Sequence, residues 1–275
     1  MHKIINEMLK FISFGSGSSG NCYYLSTDTD RLLVDAGVGI RTLKKALHEN
    51  NIKLESISKV LVTHDHADHI KSVGVLGSDY GVDVYATSEV HNGIHRNYCV
   101  HKKVPGEHAR VLTQGETVRI GDFSVTPFKV PHDSSDNVGY RIEAEGVVFC
   151  LMTDAGHVTE EMKKYIGEAN YLVLEANYDE VMLREGNYPQ YLKERIAGPT
   201  GHLSNTECGE ALANNATMEM KHVWLCHLSE ENNHPVLAQK TVEQVLRSYG
   251  LIAGKDFNVD VLKRKTASMM YELTK

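Results

Sequence analysis

The chain has 275 residues, 41% of them apolar and 24% charged, with only six prolines, which excludes disordered and collagen-like proteins and leaves ample material for a core without disulfides. Its formal charge of −7 argues against a protein coated with basic groups for general nucleic-acid binding. No repeat, low-complexity stretch or linker divides it, so a single domain over residues 1–275 is expected.

Cys22, Cys99, Cys150, Cys208 and Cys226 are scattered, odd in number and contain no C-x-x-C pair. A disulfide framework or cysteine-rich zinc knuckle is therefore disfavoured, and a reducing compartment fits better. Met1 to Phe14 carries two lysines but no sustained apolar stretch and no small-residue cleavage site. Neither a signal peptide nor a membrane span is expected, and the location is read as cytoplasmic.

The chain opens with an apolar strand, Leu9 to Phe14, and then the run Gly15-Ser16-Gly17-Ser18-Ser19-Gly20-Asn21. Strands at Cys22 to Ser26 and Arg31 to Val34 follow, the second ending at Asp35. The glycine–serine run reads as a tight hairpin, or as a loop offering N–H groups to a phosphate. Ile40, Leu43 and Leu47 have helical spacing. Ile57 to Val62 is a β-branched run that stops at a histidine cluster.

The middle is strand-like at Val82 to Ala86, Glu116 to Ile120, Phe123 to Val130, Gly139 to Glu143 and Val147 to Met152. A helix from Thr159 to Ile166 and a strand from Tyr171 to Leu174 come next. Ser204-Asn205-Thr206-Glu207 has the spacing of a capping box opening a helix through Asn214. After a strand at Val223 to Cys226, Pro235 starts a helix closed by Gly250, and the tail returns to strands near Asn258 to Leu262 and Ser268 to Leu273. Strands with interspersed helices suit two sheets with helices outside them.

The chemistry concentrates in His64-Asp65-His66-Ala67-Asp68-His69. Imidazole nitrogens and carboxylate oxygens are ligands for zinc, manganese and iron, and four such groups in six residues cannot all face one ion. Alternate members can face two ions a few ångströms apart, which would add about four positive charges to a net-negative protein. A solvated turn seldom needs such a cluster.

H-x-H-x-D-H resembles the hallmark of the metallo-β-lactamase superfamily, and its further motifs stand in the same order: Asp35, His132 after Pro131, Asp154 before Ala155-Gly156, and His227 in Cys226-His227-Leu228. The resemblance implies an α+β fold, a four-layer αββα sandwich. It implies one ion held by His64, His66, His132 and Asp154, and a second by Asp68, His69, Asp154 and His227, with Asp35 supporting the histidine loop. An aspartate rather than a cysteine at position 154 suits a bridged pair of metals and departs from true β-lactamases. Position 227 follows position 154 by only 73 residues (227 − 154), leaving no room for the large module inserted in nucleases that process long RNA and DNA.

Leu172-Val173-Leu174-Glu175-Ala176-Asn177 and Gly201-His202-Leu203-Ser204 are similar to elements of transfer-RNA 3′-processing ribonucleases, where a glutamate orients a proton-donating histidine. The plainer alternative, set behind the functional one, makes Glu175 a surface strand end and His202 part of a helix entry. Arg184, Lys193 and Arg195 lie between them, either as solvated surface or as contacts to flanking phosphates; Lys263-Arg264-Lys265 reads as a solvated tail.

The opening Phe14 to Asn21, Asn177-Tyr178-Asp179, Gly186-Asn187-Tyr188-Pro189, Gly201 to Asn205 and Leu228 to Asn233 resemble the bacterial YycJ family, also called WalJ, across almost the whole chain. That resemblance implies a cytoplasmic 5′-to-3′ DNA exonuclease linked to DNA repair. It would carry two divalent ions (zinc or manganese, with iron also fitting), act on DNA rather than RNA and use no membrane. Its catalytic residues would be Asp68, Glu175 and His202, with a hydroxide bridging the metals as nucleophile and His202 as general acid. The alternative keeps the metals and takes a small molecule: a cyclic phosphate, thioester, lactone or lactam.

Overall fold

The computed structural model describes residues 8–275, so the reading of the first seven residues lies outside the described part. In chain order the elements are β1 (Leu9–Gly15), β2 (Cys22–Ser26), β3 (Arg31–Val34), α1 (Ile40–Glu49), β4 (Lys59–Leu61), α2 (Ala67–Ile70), α3 (Val73–Tyr80), β5 (Asp83–Ala86) and α4 (Ser88–Arg96). They continue with β6 (Ala109–Val111), β7 (Val118–Ile120), β8 (Phe123–Lys129), β9 (Val138–Ala144), β10 (Val147–Met152), α5 (Glu160–Glu168) and β11 (Tyr171–Glu175). The last are α6 (Glu180–Glu185), α7 (Gln190–Ile196), α8 (Asn205–Asn215), β12 (His222–Cys226), α9 (Pro235–Ser248), β13 (Asn258–Val261) and β14 (Tyr271–Leu273).

The strands form two seven-stranded sheets, ordered β14-β1-β2-β3-β4-β5-β6 and β13-β12-β11-β10-β9-β8-β7. Alternation sorts their side chains into three apolar layers. Phe11, Tyr23, Leu25, Phe149, Val173 and Trp224 fill the space between the sheets. Leu43 and Leu47 of α1 and Leu76 of α3 cover the first sheet, while Met162 of α5, Leu212 of α8 and Val242 of α9 cover the second. Helix, sheet, sheet, helix is the expected αββα sandwich. Among the described residues no helix is long and apolar enough to cross a membrane.

Helices α3 and α4 were not foreseen, because glycines depress helix propensity in both. Each glycine admits a close neighbour instead. A Cβ at Gly74 would stand 1.7 Å from the Lys102 carbonyl oxygen, and one at Gly93 would stand 2.0 Å from Asp65 Oδ2.

What places the functional residues is the direction of the strands. β3 and β4 pair in parallel, as do β10, β11 and β12, so each set ends at a common edge. Asp35, Asp154 and His227 follow β3, β10 and β12 with φ of 59°, 54° and 54°. Non-glycine residues held in the left-handed region store strain and must be pinned by their surroundings.

Candidate metal centre

His64, His66 and His132 offer ring nitrogens within 4.8 Å of one another, as do the donor atoms of Asp68, His69 and His227. Asp154 stands between these groups. Its carboxylate oxygens lie 3.2 Å from His69 Nε2, 3.7 Å from His132 Nε2 and 3.6 Å from His227 Nε2. All seven residues singled out as ligands in the sequence therefore meet in one place. His64, His69, His227 and Asp154 are buried, whereas Asp68 keeps 24% of its side chain exposed.

The imidazoles are held by one nitrogen and offer the other. His132 Nδ1 donates to the Gly201 carbonyl oxygen at 3.0 Å, leaving Nε2 an acceptor that lies 3.3 Å from His66 Nδ1. His69 Nδ1 donates to Asp35 Oδ2 at 2.7 Å. His64 Nδ1 lies 3.0 Å from Thr63 Oγ1, whose hydroxyl donates to Asp35, and His64 Nε2 is buried without a hydrogen-bond partner. A lone pair so placed costs stability unless a cation takes it, and an all-nitrogen, all-oxygen donor set suits a divalent ion. These residues fit metal ions.

Burial would push every carboxyl here up and every imidazole down. For Asp154 burial is outweighed by His227, His69 and His64, which hold it well below the carboxylate range. Burial opposes protonation of His69, yet Asp35, Asp154 and Asp68 raise it to about 10. His227 is likewise held well above its ordinary value by Asp154, Asp68 and Glu175 against burial. His64 and His132 go the other way: burial dominates and lowers both.

Glu175 is fully buried rather than a surface strand end. Its Oε1 accepts from His202 Nδ1 at 2.8 Å, and its Oε2 accepts from the backbone N–H of Ala155 at 2.7 Å and of Leu203 at 3.3 Å. Burial alone would raise this carboxyl, but His202 and His227 hold it down; in return Glu175 raises His202 against burial. His202 Nδ1 lies 3.7 Å from Asp154 Oδ1, so the pair borders the metal-ligand cluster.

The basic residues of the insertion are all engaged. Arg195 grips Asp133 with Nε and Nη2, Lys193 donates to the Arg184 carbonyl oxygen, and Arg184 pairs with Glu185. Arg264 is no solvated tail residue: it donates to the carbonyl oxygens of Leu228, Ser229 and Asn233, bracing the loop after His227. Sequence reasoning also missed the amides that pin the strained backbone. Asn137 Nδ2 donates to the Asp154 carbonyl oxygen at 2.9 Å, and Asn177 Nδ2 to that of His227 at 2.7 Å. Asn137 falls in no motif, and the motifs that contain Asn177 did not single out its side chain.

A histidine–aspartate cluster at the shared edge of an αββα sandwich defines the class: a metal-dependent hydrolase of the metallo-β-lactamase superfamily. The Beta-lactamase superfamily domain model matches residues 30–228. The chain is 36% identical over 251 residues to Exodeoxyribonuclease YycJ of Bacillus anthracis, covering 91% of this chain and 94% of that protein. It is also 36% identical over 264 residues to Exodeoxyribonuclease WalJ of Streptococcus pneumoniae serotype 2, covering 96% and 98%. The metallo-beta-lactamase fold protein YhfI from Bacillus subtilis superposes with a TM-score of 0.72 over 97% of this chain and all of that one; at 18% identity the likeness is one of fold. The chain belongs to the YycJ/WalJ family of the metallo-β-lactamase superfamily.

Proposed function

We propose that this chain, read as one domain throughout, is a cytoplasmic dinuclear phosphodiesterase that removes nucleotides from the 5′ end of DNA in the service of DNA repair. The observation that carries the reading is the Glu175–His202 pair, 2.8 Å apart and bordering Asp154. Thioester, lactone and lactam cleavage ask less of a proton donor than a departing sugar alkoxide does. The exodeoxyribonuclease names of the 36% identical relatives support DNA as the substrate.

In this reading His64, His66, His132 and Asp154 hold one ion, and Asp68, His69, Asp154 and His227 the other. When bound, the pair supplies Lewis-acid activation of a water and neutralises charge on the phosphate. Zinc and manganese both suit the donor set. Asp68, a ligand that stays partly exposed, would also be placed to accept a proton from the attacking water. His202, whose protonation Glu175 favours, donates its proton to the leaving oxygen; the two backbone N–H bonds to Glu175 stop that carboxylate from swinging away. A groove of about 480 Å³ beside His132, bordered by Lys129, Ser134, Ser135, His157 and Thr200, gives room for a nucleotide.

The test is hydrolysis of DNA labelled at either end, with and without a 5′ phosphate and beside matched RNA, using protein of measured zinc or manganese content. Stepwise loss from the 5′ end, abolished together with metal binding in Asp154→Ala, is expected. Two ions per chain without cleavage of any nucleic acid would overturn the nuclease reading.

A further inference from the structure

The run from Gly15 to Asn21 joins β1 to β2 across a bulge where Gly15 faces Cys22, and turning the chain would need nothing more. Its buried polar atoms do more. Asn21 is 0% exposed, and its Nδ2 stands 2.8 Å from His69 Nε2, 3.4 Å from Asp68 Oδ2 and 3.3 Å from the Asp68 carbonyl oxygen. The amide cannot flip, because Oδ1 accepts from the Gly17 N–H at 2.8 Å and a flipped NH2 would face that donor. The Asn21 backbone N–H also donates to the Asp68 carbonyl oxygen, at 2.7 Å.

At the other end of the loop Ser16, also 0% exposed, accepts from the backbone N–H of His227 at 2.9 Å. Tyr23 lies between, its hydroxyl 3.0 Å from Ser16 Oγ and 3.4 Å from Asn21 Oδ1. The donors and acceptors fix one direction. The His227 N–H can only donate and Asn21 Oδ1 can only accept, so Ser16 donates to Tyr23 and Tyr23 to Asn21. One buried chain thus runs from His227, on the second sheet, to Asp68 and His69 beside the first. Buried polar side chains are costly unless they are all satisfied, and a plain hairpin gains nothing from three of them.

We propose that this loop is a clasp setting the separation of Asp68 and His69 from His227, with Asn21 as the positioning residue for the second metal ion and Ser16 and Tyr23 as its links. The inference rests on the two-ion reading above. Besides its contact with His69 Nε2, Asn21 Nδ2 has three oxygen acceptors within reach (Asp68 Oδ2 and the carbonyl oxygens of Asp68 and Gly17), so it holds Asp68 whether or not His69 Nε2 is engaged. Groups that orient metal ligands from behind are worth roughly 10–100-fold in affinity.

Zinc titration of metal-free protein against a chromophoric chelator tests this without reference to turnover. Wild type should bind two zinc ions. Asn21→Ala should bind the first as wild type does and the second about 10–100-fold more weakly. Tyr23→Phe, which removes one oxygen from a ring packed in the core, should weaken the second ion in the same direction by less. If Asn21→Ala does not fold, Tyr23→Phe decides alone. Unchanged affinity for both ions, or an equal loss of both, would overturn the clasp while leaving the two-ion reading intact. A wild type that binds fewer than two ions would overturn that reading, and the clasp with it.

Discussion

The imidazoles of the two ligand groups differ in charge before any metal arrives. His64 and His132 are held neutral by burial, whereas His69 and His227 are held protonated by the carboxylates around them. An ion entering the Asp68, His69 and His227 group must displace protons, so its affinity should rise as pH climbs from 7 towards about 10, where His69 titrates. The first ion should show little such dependence. The sign is opposite for the metal-free fold. A raised pKa gives stability that is complete below the ordinary value of 6.5 and lost as pH rises through about 10. Calorimetric titration in buffers of different ionisation enthalpy counts the protons, and equal release for both ions would contradict this account. For His202, replacement by alanine should retain both metals and cut turnover about 10²–10⁴-fold; wild-type rates would remove it from the mechanism.

At the level of elements, the proton donor depends on how α8 begins. Ser204 Oγ accepts from the Glu207 N–H at 3.1 Å, and Glu207 Oε2 accepts from the Ser204 N–H at 2.8 Å, completing the capping box. His202 lies two residues before this cap and Leu203, next to it, donates to Glu175, so the helix start fixes the chain that carries the histidine. Ser204→Ala should cost about 1 kcal/mol in urea unfolding of the metal-loaded protein. An unchanged midpoint would mean that packing against α5 and α9, rather than the cap, holds α8. The insertion bearing α6 and α7 is latched to the rim of the centre by the two-pronged grip of Arg195 on Asp133, the residue after His132.

Across the whole molecule, the centre exists only while the two sheets stay in register. His64 and Asp68 come from the first sheet's side and Asp154 and His227 from the second, and the apolar layer between the sheets keeps them apart by a fixed distance. Phe149 of β10 sits in that layer 5.1 Å from Phe11 of β1, and Trp224 of β12 is 4.7 Å from the same ring. Phe149→Ala should therefore cost about 3–5 kcal/mol of unfolding free energy. The metal stoichiometry of the folded fraction should be unchanged, since no ligand is touched. A loss under about 1 kcal/mol would mean that the sheets close over the cavity.

Strand positions were readable because short apolar runs bounded by turn residues mark strands buried on both faces, and β2, β3 and β10 fall where those runs lie. Ser204 marked its helix start for a similarly local reason: a cap acts on its own first turn. The H-x-H-x-D-H run announced metal chemistry because its donors are neighbours in the chain. Helices α3 and α4 were hidden because Gly74 and Gly93 answer to distant neighbours rather than to helix propensity. The burial of Glu175 and the use of Arg195 and Arg264 as struts were equally out of reach. So were the amide contacts of Asn21, Asn137 and Asn177, whose partners are distant in the chain and come within reach only when segments of one sheet converge at its edge. Residue types and local spacing determined which atoms could bind metal. The packing of one sheet on the other decided which of them meet, because hydrogen bonds and Coulomb forces act over a few ångströms and only folding brings residues 21, 69 and 227 that close.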